Sequence, residues 1–178
     1  MLSRRQFIKT GAIGAVALVA IRAAYGPFSA DPLIAEDRDY SYAVLRAKER
    51  TMLAAIAPAM LAGALPQESA ARQRAITEVV RGVDTAIRGL PPAVQSEVRD
   101  LFALLVFPVT RRVHAGVVKP WLDATPAEIA AFLERWRTSS FVLLRTAYRA
   151  LQELIMAAWY GNPEAWSRIS YPGPPIVN

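Results

Sequence analysis

The spacing of the apolar residues constrains the fold of this chain most, because they recur every three or four positions in each segment after residue 40. That period places them on one face of an α-helix, whereas a strand would need alternation of apolar and polar residues. No segment shows sustained alternation of apolar and polar residues bounded by hairpin turns. We therefore predict an all-α protein: an irregular bundle of about five helices with an extended, Pro- and aromatic-rich C-terminal strap, preceded by an N-terminal signal helix.

Apolar stripes and helix-breaking residues locate the helices of the first half. A stripe from Ile76 to Leu90 ends at Pro91, because proline cannot continue a helix. A helix beginning at Pro92 can continue to Val109, and it is apolar almost all round from Leu101 onwards. Helices that are apolar on every side are buried, so we expect this one to be the central helix of the bundle.

The second half carries two further helix patterns. Thr125-Pro126-Ala127-Glu128 has the residues of a capping box with proline at the first helical position. Ser139 or Ser140 can cap the last helix, whose apolar stripe begins at Phe141 and which Gly161 ends. Residues 41–178 are thus predicted as a single helical domain, with its strap over 161–178.

The first 30 residues carry an export signal. Ser3-Arg4-Arg5-Gln6-Phe7-Ile8-Lys9 precedes an apolar run from Gly11 to Ile21, which is the pattern of a twin-arginine signal. Arg4, Arg5, Phe7 and Lys9 are the predicted targeting residues. The run spans about 16 Å, roughly half of a hydrocarbon core, so it is too short for an ordinary membrane span. We expect a periplasmic protein whose signal is either cleaved near Ala30 or kept as a tether to the inner membrane. The N-terminal segment is then the only part of the chain that we expect to contact the membrane.

Composition excludes several classes of function. The chain has no cysteine and one histidine, which excludes disulfides, thiolate metal sites and cysteine nucleophiles. It has no GxGxxG, Walker or metal-ligand motif, so no catalytic residue, bound cofactor or metal is predicted for this chain. The formal net charge of +6 comes largely from the signal segment, and the basic residues after it are interleaved with acids. We therefore expect no binding to nucleic acid.

Residues 31–40 are predicted to be an acidic, proline-containing linker. Its acidic residues, Glu36, Asp37 and Asp39, are expected to be solvated, because no turn chemistry or further oxygen ligands indicate a calcium site. Asp84 lies alone on a predicted helix and requires no special role.

The C-terminal tail concentrates aromatic residues and prolines, which favour an extended strap. The strap can fold back and seal its own core, or it can dock on a partner protein, and these two possibilities are compatible. A sugar- or quinone-binding platform is a third possibility. Trp121, in a loop, can be an interface anchor or a core residue. The candidate partner-binding residues are Trp121, Trp159, Tyr160, Trp166, Tyr171 and Pro172.

The two ends of the chain resemble a known family. Residues 159–174 read Trp-Tyr-Gly-Asn-Pro-Glu-x-Trp-x-x-Ile-x-Tyr-Pro-Gly-Pro, and this pattern, the export signal and Leu53-Ala-Ala-Ile-Ala-Pro58 are similar to the gluconate 2-dehydrogenase subunit 3 family. The resemblance implies a non-catalytic small subunit, which escorts and stabilises the FAD-carrying subunit of a periplasmic glucose-methanol-choline dehydrogenase. It implies as partners that large flavin subunit, the twin-arginine translocation machinery and, through the flavin subunit, a cytochrome or quinone acceptor. The alternative is an independent periplasmic helical protein that binds a lipid or quinone and has no obligate partner.

Overall fold

The computed structural model describes residues 33–166, all of which belong to one compact unit. The described residues contain no strand, so the predicted all-α fold is confirmed. Five long helices form the body: α1 (Ala47–Met60), α2 (Ser69–Arg88), α3 (Pro92–Val106), α4 (Pro126–Arg137) and α5 (Val142–Tyr160). Three short elements complete it: a turn over Pro108–Thr110, a π-helical turn over Arg111–Ala115 and a C-terminal helix over Pro163–Trp166.

Side-chain caps fix the starts of α2 and α4. The carboxylate of Glu68 accepts hydrogen bonds from the backbone N–H groups of Ala70 and Ala71, at 2.7 and 2.5 Å. Thr125 and Glu128 form the predicted capping box: the Thr125 hydroxyl accepts from the Glu128 N–H, and the Glu128 carboxylate accepts from the Thr125 N–H. These backbone donors lower the pKa of both glutamates, because they stabilise the ionised form.

The pair α2 and α5 makes the most extensive contact between helices. Gly82 permits the close approach, because a Cβ at this position would lie 2.8 Å from the Cβ of Ala158 on α5. The buried apolar residues of the two helices lie along this contact and its flanks: Ile76, Val79, Val80, Val83, Ile87, Leu151, Leu154, Ile155, Ala158 and Trp159.

The prediction that the helix beginning at Pro92 is central is wrong. Only Val98, Phe102 and Leu105 of α3 are buried, and these lie on one face. Phe107, which follows the helix, is 53% exposed. The helix packs at the edge of the bundle, so only one of its apolar faces is buried.

Two indoles hold the chain between α3 and α4. Trp121 donates from Nε1 to the carbonyl of Leu105 at 3.1 Å, and Trp136 donates from Nε1 to the carbonyl of His114 at 2.9 Å. Leu105 lies at the end of α3, where carbonyl groups lack partners within the helix, and His114 lies in the π-helical turn that follows. The two hydrogen bonds therefore attach the end of α3 and the π-helical turn to the core.

Candidate functional site

Of the predicted partner-binding residues, Tyr160 presents the largest described surface. It is 47% exposed at the last position of α5. Its neighbour Trp159 is buried in the core of the bundle. A buried indole offers no surface to a partner, so the prediction that Trp159 contacts a partner is corrected to a core role.

The chain folds back after α5 through a turn at Gly161. The Gly161 N–H donates to the carbonyl of Ala157 at 2.9 Å, and a Cβ on Gly161 would lie 2.8 Å from that same oxygen. A short helix then begins at Pro163 and ends at Trp166. Trp166 is half-buried, and its Nε1 donates to the carbonyl of Tyr160 at 2.6 Å.

The strap therefore begins against its own bundle, as the self-covering alternative requires. The indole of Trp166 lies against the backbone of Tyr160 at the point where the described chain ends. Tyr171 and Pro172, the other predicted contacts, lie outside the described residues. So do the predicted targeting residues Arg4, Arg5, Phe7 and Lys9.

Trp121 lies in the core, which corrects the possibility that it is an interface anchor. Its indole is buried, and its ring centroid lies 5.9 Å from that of Phe132 on α4. The guanidinium carbon of the buried Arg111 lies 6.0 Å from the same indole, within the range of a cation–π contact. Trp121 therefore stabilises the junction between α3 and α4.

The residues immediately before α1 form a structured segment, which the sequence prediction missed. Asp84 of α2 is fully buried, and its carboxylate accepts hydrogen bonds from the backbone N–H groups of Ala43, Val44 and Leu45 at 3.0, 2.9 and 2.8 Å. One side chain thus satisfies three backbone donors immediately before α1. An isolated aspartate on an otherwise apolar face was the available signal, because such residues are buried only when they are paired.

A second polar cluster attaches the linker itself. Asp37 accepts hydrogen bonds from Nε and Nη2 of Arg81 at 2.8 and 2.7 Å, and from the hydroxyl of Tyr42 at 3.0 Å. The hydrogen bonds from Arg81, with a smaller contribution from Tyr42, lower the pKa of Asp37 to about 2, although its partial burial opposes the change. Burial and the bond to Asp37 raise the pKa of Tyr42 to about 12. The prediction that Asp37 is solvated is therefore wrong.

Two clefts lie on the described surface. A polar cleft of about 900 Å³ runs between the linker and α2, and charged side chains such as Asp37, Arg50, Arg74 and Arg81 line it. An apolar cleft of about 410 Å³ lies between α1 and α4. Small and apolar side chains line the second cleft, with one arginine: Ala54, Ala55, Pro58, Ala59, Ala62, Arg72, Trp121, Leu122, Ala124, Pro126, Ile129 and Ala130.

Within residues 33–166, no three carboxylate, histidine or cysteine side chains are grouped so that they could hold a metal ion. None of the helices in this range is both long enough and apolar enough to cross a bilayer. Comparison of the chain with protein-family models, with curated proteins and with solved structures gives no match.

Proposed function

We propose that this chain is the non-catalytic small subunit of a periplasmic, FAD-dependent dehydrogenase of the glucose-methanol-choline type. It serves as the twin-arginine export escort of the flavin subunit and stabilises it after export. The observation that carries this proposal is the combination of the twin-arginine pattern at residues 3–9 with the tail pattern at residues 159–174. Twin-arginine signals export folded cargo, and this chain carries no cofactor motif that would require folding before export.

The surface at the end of α5 supports a role for the tail in partner binding. Tyr160 is exposed, and Trp166 lies beside it, held by the hydrogen bond to the Tyr160 carbonyl. Aromatic side chains held rigidly lose little conformational entropy on binding, so they are effective anchors in protein interfaces. Pro172, Pro174 and Pro175 further along the tail likewise limit the entropy lost on binding.

The association can be tested with the full chain. We would co-express an affinity-tagged chain with a large flavoprotein that is encoded beside it and lacks an export signal. The proposal predicts that the FAD-containing protein co-purifies with the tagged chain, as measured by FAD absorbance. The double variant Tyr160→Ala with Trp166→Ala should reduce that absorbance without changing the melting temperature of the chain. Val94→Ala on α3 is the matched control, because Val94 is also exposed. A flavoprotein that folds, binds FAD and reaches the periplasm without this chain would contradict the proposal.

A second candidate function is favoured by the apolar cleft between α1 and α4. Its volume of about 410 Å³ and its apolar lining suit a small apolar ligand, and Arg72 at the cleft could bind a polar head group. This is the lipid- or quinone-binding alternative. Titration with a short-chain quinone would test it, because binding in the cleft quenches the emission of Trp121. Ala59→Phe, which fills the cleft, should abolish that quenching, and equal quenching in both proteins would exclude the site.

A further inference from the structure

Two groups of large apolar side chains project into solvent at one end of the bundle, and the proposed function does not use them. Phe141, Val142 and Leu143 at the start of α5 are 70%, 66% and 76% exposed. Val113 and Val118, on either side of the end of the π-helical turn, are 65% and 61% exposed. Isolated exposed apolar residues are common on protein surfaces, but three consecutive projecting ones indicate an interaction surface.

Hydrogen bonds and chain connectivity place both groups beside the last turn of α4. Trp136, in that turn, donates to the carbonyl of His114, which adjoins Val113. The helix ends at Arg137, and Phe141 follows four residues later. We refer to Val113, Val118, Phe141, Val142 and Leu143 as the apolar corner.

Positive charge is concentrated in the part of the chain that forms the apolar corner. Residues 106–149 contain seven arginine and lysine residues, of which Arg111 alone is buried, and three acidic residues, whereas residues 33–105 contain nine of each. The net positive charge of the described residues therefore comes from the segment that carries the apolar corner. A surface of this sign attracts an anionic partner.

Arginines lie directly beside the exposed apolar side chains. Arg112 donates to the carbonyl of Val118 at 3.3 Å, and Arg145 donates to the carbonyl of Ser139, two residues before Phe141, at 2.5 Å. Arg135 and Arg137 in the last turn of α4 are exposed. Only Glu134, which pairs with Arg137 at 2.8 Å, brings negative charge to this turn.

The apolar corner is distant from the tail to which partner binding is assigned. Helix α5 has 19 residues, so Val142 and Tyr160 are separated by roughly 27 Å along its axis. A partner bound through Tyr160 and Trp166 at one end does not account for exposed apolar groups at the other. The apolar corner requires an occupant of its own.

We propose that the apolar corner binds the surface of an anionic phospholipid bilayer. Phe141, Val142 and Leu143 insert into the interfacial region, while the neighbouring arginines bind lipid phosphates, to which a guanidinium can donate two parallel hydrogen bonds. Projecting side chains suit insertion into a bilayer better than docking on a protein, where buried anchors fill pockets of matching shape. This surface adds a second membrane contact to the N-terminal one predicted from the sequence.

Vesicle flotation of the full chain tests the proposal. The probes are vesicles of phosphatidylcholine alone and of phosphatidylcholine mixed equally with phosphatidylglycerol. The triple variant Phe141→Ser, Val142→Ser and Leu143→Ser should bind the phosphatidylglycerol vesicles about tenfold or more weakly than the unaltered chain. Val94→Ser is the matched control, because it also replaces an exposed apolar side chain by serine and lies on α3, outside the apolar corner. Both variants retain the N-terminal segment, so its membrane affinity cancels in the comparison.

A charge variant keeps the proposal testable if the triple variant does not fold. Arg137→Gln with Arg149→Gln removes two exposed cations, and Arg149 lies two turns after Val142 on the exposed side of α5. This variant should lose the additional affinity for the phosphatidylglycerol vesicles and keep the affinity for phosphatidylcholine vesicles, and added salt should have the same effect. Binding unchanged in both variants would overturn the proposal. The proposal would also be overturned if the triple variant no longer co-purified with the flavin subunit but bound vesicles as the unaltered chain does. The apolar corner would then be a protein interface.

Discussion

Asp84 should be the polar side chain on which the fold depends most, because it accepts hydrogen bonds from the backbone N–H groups of Ala43, Val44 and Leu45 without contact with solvent. In Asp84→Asn the amide keeps one acceptor oxygen, and its NH₂ group faces a backbone donor. At least one buried N–H group therefore loses its acceptor, and the remaining bonds become neutral. A hydrogen bond to a charged group contributes about 1.5–3 kcal/mol, so we expect a loss of about 3 kcal/mol.

Asp84→Ala removes all three acceptors and should destabilise the fold further, by about 5 kcal/mol. Either loss is large against the 5–15 kcal/mol that is typical of a folded domain. With a urea m-value of about 2 kcal/mol/M, Asp84→Asn should lower the unfolding midpoint by about 1.5 M. The buried indoles of Trp121, Trp136 and Trp159 make tryptophan emission a suitable signal of unfolding.

Asp100→Asn provides the matched control, because Asp100 is an exposed aspartate on a neighbouring helix, and its loss should change stability by no more than about 0.5 kcal/mol. Hydrogen exchange separates local release from global destabilisation. Amide protection at residues 43–45 should fall in Asp84→Asn more than protection in α5. If the urea midpoint of Asp84→Asn equalled that of Asp100→Asn, the reasoning would be refuted, since the three hydrogen bonds would then contribute little to the free energy of unfolding.

Three further outcomes follow from single contacts. Asp37→Asn should lower stability by about 1–2 kcal/mol at neutral pH and match the unaltered chain near pH 2, because the bond to Arg81 lowers the pKa of Asp37 from 3.8 to about 2. Its stabilisation is present above pH 4 and is lost on acidification, as pH-dependent thermal unfolding would show. Gly82→Ala places a Cβ against Ala158 and should destabilise the α2–α5 contact by about 1–3 kcal/mol, although alanine favours helix. Trp121→Phe leaves a buried carbonyl without its donor and should cost about 1–3 kcal/mol in urea unfolding.

Helix positions could be predicted from the sequence because their signals are local. The stripe from Ile76, the capping box at Thr125 and the terminating Gly161 all lie where the structure places helix ends or buried faces. Such signals depend on residues within one or two turns of each other, so they need no knowledge of the tertiary contacts.

Tertiary contacts explain what the sequence did not predict. The hydrogen bonds that Asp84 accepts from the backbone of residues 43–45 span about forty positions, so neither segment alone indicates them. The sequence predicts that the apolar stripe of α5 begins at Phe141, but this residue is 70% exposed and the buried residues of the helix begin at Leu151. From the sequence alone, Trp121 could belong to the core or to an interface. The tertiary structure places it in the core, where it donates a hydrogen bond to the end of α3.

The export role is the central claim, and fractionation of cells tests it most directly. Arg4→Lys with Arg5→Lys would be introduced into the full chain, which would be co-expressed with the proposed flavin subunit. The account predicts that both proteins then remain in the cytoplasm, whereas Arg88→Lys with Arg99→Lys, at exposed helix positions, leaves export unchanged. Normal periplasmic activity of the flavin subunit beside the signal variant would contradict it.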